Sequence, residues 1–332
     1  MKRIIVLALA LGLVAAACSS ANEQGSLIVY SGRSEDLTQP LIDRFIEETG
    51  IAVTVKYAGS TDLAATITEE GTSTPADVFF AQDPASLGTV ALAGLFSELP
   101  TDLLARVPQQ FSDAQGRWIG TSGRARVVVY DSSIVDPTDL PDTEDGFTDP
   151  TWKGRVGIAP TNGSFLAFVS AKILVDGRDA TLAWLKGMAA NASPTFPKNS
   201  AIVAAVNDGQ VEVGLVNHYY LLRALAENPD LPGVNHFFTV PTPGSLVMPA
   251  GAGILSASKN QDLATQFIEF LLSDSSQTYF AKETFEYPLI PGIAANELLP
   301  PLDMLPTPDL DLSLLATVLD TATDLVAEAG LL

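Results

Sequence analysis

The stretch LIVYSGRSEDLTQPLIDRFIEETGIAVTVKY, residues 27–57, holds one complete strand-helix-strand unit. Leu27 to Tyr30 is an unbroken run of β-formers and reads as a buried strand. Ser34 stands where a helix N-cap is wanted, and Leu37, Leu41, Ile42, Phe45 and Ile46 recur on one helical face until Gly50 stops the pattern. Ile51 to Tyr57 then alternates as a second strand. Further on, Thr61 to Glu70 is helical up to Gly71, Asp77 to Phe80 is a strand and Pro84 to Leu95 is a helix. The alternation predicts α/β layers over a mostly parallel sheet. The continuous β-branched run Arg124 to Tyr130 is either a core strand or a strand that leaves one lobe for another.

A second cycle begins with a strand at Arg155 to Ala159, followed by Asn162-Gly163-Ser164 and helices over Phe165 to Val175 and Asp179 to Ala190. Asn199 or Ser200 can cap a helix over Ala201 to Asn207. Val211 to Val216 is a strand that ends directly in Asn217-His218-Tyr219-Tyr220, where a helix opens. Gly244 to Val247 and Gly251 to Leu255 read as two strands, Gln261 to Leu272 as a helix, and the prolines from Pro300 to Pro308 as a stiff connector. Leu315, Leu319, Ala322 and Val326 stripe a terminal helix.

The chain has 332 residues, about right for two lobes of ordinary domain size. Hydrophobic residues make up 47% and charged residues only 17%, so the chain can bury a large core and is not globally disordered. Its net charge is −21, which excludes nucleic acid as a partner and repels anionic lipid headgroups.

Lys2 and Arg3 precede the apolar run Ile4 to Ala17, too short to span a bilayer and suited to export. Cys18, the only cysteine, follows Val14-Ala15-Ala16-Ala17, which resembles a bacterial lipobox with Ala15 where leucine is usual. Residues 1–17 are then a lipoprotein signal peptide, Cys18 the acylated mature N-terminus, and residues 18–26 a polar tether. The alternative is ordinary cleavage beside a bystander thiol.

Catalytic signatures are absent: H-E-x-x-H, G-x-S-x-G, G-x-x-x-x-G-K-[ST] and G-x-G-x-x-G do not occur. Only His218 and His236 offer imidazoles. Unusual polar residues gather instead at four strand ends: Ser31-Gly32-Arg33-Ser34, Gln82-Asp83, Asn162-Gly163-Ser164 and Asn217-His218-Tyr219-Tyr220. Open α/β sheets bind ligands there. A bare Tyr-Tyr pair reads as packing aromatics, yet two phenolates also suit a hard, highly charged cation, since a free tyrosine ionises only near ~10. Arg33 suits an anion, or a surface pair with Glu35 or Asp36; Arg124 and Arg126 suit cross-lobe ion pairs.

Several segments lie in one order: Tyr30-Ser31-Gly32-Arg33, Pro75-Ala76-Asp77-Val78-Phe79, Ser122-Gly123-Arg124-Ala125-Arg126, Trp152-Lys153-Gly154, Lys198-Asn199-Ser200, Asn217-His218-Tyr219-Tyr220 and Glu286-Tyr287-Pro288-Leu289. Together they resemble the periplasmic ferric-ion-binding proteins of ABC importers, bacterial counterparts of transferrin. The resemblance runs from Leu27 to Leu332.

It implies a two-lobe, type II periplasmic-binding-protein-like α/β fold with discontinuous lobes, 27–125 plus 250–300 and 126–249 plus 301–332, hinged near Arg126 and Pro249. It also implies an exported monomer that carries Fe3+ outside the cytoplasm to an ABC permease and its ATPase, with no reaction catalysed; the lipobox adds a lipid anchor to the cell membrane at Cys18. Tyr219 and Tyr220 would be iron ligands; Asn162, Gly163, Ser164, Asn199 and Asn217 would hold a synergistic anion such as phosphate or carbonate, with Arg33, Arg124 and Arg126 nearby. Two positions depart from the family: Ser34 replaces a histidine and Gln82 a glutamate ligand, leaving Asp83 as the neighbouring carboxylate. Weakened metal ligands leave open an oxyanion or organophosphonate binder using Arg33, Asn162 to Ser164 and Asn199. An enzyme of unrecognised class is the remaining alternative.

Overall fold

The computed structural model describes residues 25–332, so the leader and Cys18 lie outside the described residues. In chain order the main elements are β1 (Ser26–Ser31), α1 (Glu35–Thr49), β2 (Ala52–Tyr57), α2 (Ser60–Glu70), β3 (Val78–Ala81), α3 (Pro84–Leu92) and α4 (Thr101–Leu104). The long β4 (Ile119–Asp131) leads to β5 (Val156–Gly157), α5 (Gly163–Asp176), α6 (Arg178–Ala190), α7 (Asn199–Asn207), β6 (Val213–Asn217), α8 (Tyr219–Glu227) and β7 (Gly233–His236). Then come β8 (Val247–Ile254), α9 (Gln261–Leu271), α10 (Asp274–Lys282) and α11 (Leu319–Glu328). Among the described residues, no helix is long and apolar enough to cross a membrane.

The strands run in the order β2-β1-β3-β8-β4-β6-β5, with β7 also on β4. The organising strand is β4, every residue of which is buried. Ile119 to Ala125 pair with β8, whereas Arg126 to Tyr130 pair with β6, so one strand serves both halves of the sheet. β8 begins where β4 changes partner, Val247 lying opposite Ala125.

Here the structure corrects the expected parallel sheet. β1 pairs in parallel with β2 and β3, and β5 with β6, but β4 and β8 run antiparallel to every neighbour. β8 returns from the other half of the molecule and inserts between β3 and β4, so no local β-α-β crossover joins it to either neighbour and nothing forces it parallel. The two strands read around residue 250 are also one. Pro249 does not interrupt it, because Gly123 opposite spends both its N–H and its carbonyl on Tyr287, and no ladder bond is lost to the missing proline N–H. Pro243–Ser245 instead forms a 3-10 turn.

Local chemistry explains the helices. Glu35 and Asp36 favour the α1 N-terminus, and Gly50 (φ 71°) closes it through an N–H to Ile46 O bond. Ser34 occupies the N-cap position, although its hydroxyl makes no capping bond. The terminal stripe of Leu315, Leu319, Ala322 and Val326 is buried as expected, but its first part, Leu312–Val318, winds as a 3-10 helix between α3 and α5 before α11 packs on α5 and α6.

Gly88 of α3 makes that approach possible, since a Cβ there would stand 2.6 Å from the Ala316 Cβ, and neither atom can rotate away. Gly88→Ala is therefore expected to lower stability by about 1–3 kcal/mol despite alanine's better helix propensity. Ala316→Gly in the same chain should restore part of the loss, read from urea unfolding midpoints.

Candidate functional site

A cavity of about 500 Å³ lies between the two halves of the molecule. The four polar strand ends meet there: Arg33 follows β1, Gln82 follows β3, Asn162 lies beyond β5, and Tyr219 and Tyr220 open α8 after β6. Lys198 also lines it.

β6 stops at Asn217 because the chain turns at once into α8, which places both tyrosines in the first turn. Their rings stack with centroids 4.1 Å apart and planes 28° from parallel. Tyr219 is buried, and burial, with Tyr220 adding to it, pushes its hydroxyl well above the ordinary tyrosine range; Arg124 and Arg33 pull the other way. Without a cation the phenol stays protonated. A hard cation that displaces the proton finds the arginines already stabilising the phenolate charge.

The anion candidates divide. Asn162 caps α5: its Oδ1 accepts from the Ser164 N–H (3.1 Å) and hydroxyl (2.6 Å) and from Asn199 Nδ2 (3.1 Å). Asn199 Nδ2 also donates to Ser164 Oγ at 3.2 Å, which joins the three residues in one cluster at the helix N-terminus. Asn199 is thus not a helix cap, as Lys198 holds that position of α7. Asn217 stands apart, its Oδ1 accepting from Arg126 Nη1 at 3.4 Å and its buried Nδ2 without a partner.

Gln82 faces the cavity, whereas Asp83 turns away from it. The Asp83 carboxylate caps α3 by accepting from the Ser86 N–H (2.8 Å) and hydroxyl (3.1 Å). A Cβ on Gly163 would be 3.3 Å from Asp83 Oδ2, so this carboxylate also abuts the first turn of α5. Burial raises its pKa against those bonds.

Below the tyrosines lies a buried charge cluster. Arg33 forms a two-pronged pair with Glu286, Nη1 to Oε1 at 2.9 Å and Nη2 to Oε2 at 2.7 Å. The surface pairing with Glu35 or Asp36 does not occur, because Arg33 is 2% exposed and turned inward to Glu286. Asp36 instead pairs with Arg223 of α8 across the cavity mouth at 2.6 Å. Arg124 Nε lies 4.0 Å from Glu286, and its Nε and Nη1 make no hydrogen bond. Among the described residues Arg126 has no carboxylate partner; it lies over the Phe168 ring at 5.1 Å, and burial, reinforced by Arg124, lowers its pKa to about 10. Glu286 had only a motif position in the sequence reading. No spacing rule links it to Arg33, 253 residues away.

Glu286→Gln should leave two buried guanidinium groups without a countercharge and cost about 3–5 kcal/mol in urea unfolding. The double variant Arg33→Met, Glu286→Leu should lose less than the two single changes summed, because it removes both charges together.

Residues 73–311 match the family described as bacterial extracellular solute-binding protein. The chain is 34% identical over 333 residues to the Fe(3+)-binding periplasmic protein of Serratia marcescens, covering 99% of this chain and 97% of that one. Iron-bound HitA from Pseudomonas aeruginosa superimposes with a TM-score of 0.88 at 34% identity, over 92% of this chain and 99% of that one. The Trichodesmium protein IdiA (FutA), in complex with iron and citrate, gives 0.79 at 28% identity over 92% and 99%. With the two-lobe type II fold these structures share, the chain belongs to the bacterial extracellular solute-binding proteins, in the group of periplasmic ferric-ion-binding proteins, and is a binding protein and not an enzyme.

Proposed function

We propose that the protein captures ferric iron outside the cytoplasm and delivers it to an ABC permease and its ATPase. The ion is held by the phenolates of Tyr219 and Tyr220 together with an anion, as the lobes 27–125 plus 250–300 and 126–249 plus 301–332 close about Arg126 and Pro249. The observation that carries this reading is the stacked tyrosine pair at the cavity, within electrostatic range of Arg33 and Arg124. Two phenolates leave Fe3+ with a net positive charge. Arg33 is neutralised by Glu286, but Arg124 and Arg126 add further positive charge, so a polyvalent anion such as phosphate, carbonate or a polycarboxylate completes the site.

The orphan donors Arg124 Nε, Arg124 Nη1 and Asn217 Nδ2 support the anion part, because buried donors need acceptors. The α5 N-terminus, with Ser164 and Asn199, supplies further donors. Gln82 offers a neutral carbonyl, and Asp83 is spent on α3 and α5, so the tyrosine lobe and its anion hold most of the iron. The same orphan donors favour a second reading, in which an oxyanion or organophosphonate is bound without metal.

Ferric loading should give a visible phenolate-to-iron band. Tyr219→Phe and Tyr220→Phe should each abolish it along with most iron affinity, while the apo protein unfolds nearly as before; unchanged bands in both would favour the oxyanion reading. Gln82→Glu should tighten iron binding, a tenfold gain appearing as about 1.4 kcal/mol of extra iron-dependent stability. Asp83→Asn should leave that iron-dependent shift unaltered.

We place the protein at the membrane through acylated Cys18, since two acyl chains give stable residence where one is marginal. Cys18→Ala should move it to the soluble fraction, and an unlipidated mature chain by mass spectrometry would overturn the anchor.

A further inference from the structure

His218 is fully buried directly before the tyrosine pair, and its two ring nitrogens bond to different parts of the molecule. Where β6 peels away from β4, the His218 carbonyl has turned aside to accept from Asn235 Nδ2 at 2.8 Å. Its Nδ1 takes over as acceptor for the Ala125 N–H at 3.1 Å, while the His218 N–H still donates to Ala125 O at 3.0 Å. With Nδ1 accepting, the ring proton sits on Nε2, which donates to the carbonyl of Phe285 at 2.7 Å.

Phe285 is held at φ 58°, a conformation costly for an aromatic residue and maintained only where its surroundings insist on it. The next residue is Glu286, the partner of Arg33, and Tyr287 after it pairs with Gly123 in the first half of β4. The imidazole also packs between Tyr219 (centroids 6.0 Å) and Tyr287 (5.1 Å).

We propose that His218 is a positioning residue: its Nε2–H to Phe285 bond ties the turn that bears Tyr219 and Tyr220 to the segment that fixes Glu286 and Arg33, and so sets the tyrosines against the opposite lobe. The Nδ1 bond only completes a ladder. The Nε2 bond couples the two halves of the site. The inference rests on the tyrosine reading of the site given above.

The two bonds can be separated, because a glutamine amide reaches the position of Nε2 and an asparagine amide that of Nδ1. Three variants, His218→Gln, His218→Asn and His218→Phe, would be titrated with ferric iron and phosphate while the visible band is recorded. His218→Gln should keep affinity within about threefold and the band in place. His218→Asn and His218→Phe should lose at least about tenfold and shift the band. Should His218→Phe not fold, the Gln and Asn pair decides. Asparagine performing as well as or better than glutamine, equal losses in all three, native behaviour in all three, or loss of cooperative apo unfolding in every variant would each overturn the proposal. Tyr219→Phe and Tyr220→Phe run alongside: if they keep the band, the tyrosine reading has failed, whereas loss of the band there with native His218 variants removes only the role of His218.

Discussion

Burying a guanidinium is costly unless a carboxylate is brought to it, and the pairing of Arg33 with Glu286 meets that cost at 1% and 0% side-chain exposure. Much of the architecture serves this contact. Arg33 arrives from the end of β1, whereas Glu286 arrives after α10 on a segment pinned by Tyr287 to β4. Thr284 donates a further bond to the same carboxylate at 2.9 Å. With the charge of Arg33 answered, Arg124 and Arg126 remain as buried surplus positive charge in a protein whose overall charge is strongly negative.

The second constraint is that β4 belongs to both halves. Between Ala125 and Arg126 it exchanges its pairing with β8 for its pairing with β6 without leaving the core. Any relative movement of the lobes must therefore be absorbed as twist in extended backbone, which preserves the hydrogen bonds on either side. The polar strand ends ride on the two halves, and this shared strand helps to hold them in register.

The elements legible in the sequence are those with strong local signals. The stripe of α1, its glycine stop, the capping asparagine before α5 and the strand that runs into the tyrosines all depend on neighbours a few residues apart. The same holds for the four polar strand ends, because ligand sites in open sheets lie where strands finish. What was illegible depends on distant parts of the chain. The two strands read over Gly244 to Val247 and Gly251 to Leu255 are one because Gly123, opposite Pro249, bonds elsewhere, and Asn199 resembles a cap because its acceptors, Asn162 and Ser164, lie at another helix. Glu286 carries no local mark of its role; only the fold brings it to Arg33. Gln82 and Asp83 are adjacent residues that part company because one follows the strand direction while the other is claimed by the first turn of α3.

The pair of Asp36 and Arg223 spans the cavity mouth with side chains 59% and 29% exposed. Partly solvated pairs of this kind contribute about 0–1 kcal/mol and weaken with salt. At that strength the bridge favours the shut arrangement by no more than about fivefold. On the proposed reading, in which the lobes close about a cargo, the occupant of the cleft and not this bridge supplies the free energy that keeps them together. The protein would then act as a reporter of its own loading: its shape would say whether it carries anything, and a membrane receptor able to distinguish the two shapes would not need to touch the cargo at all.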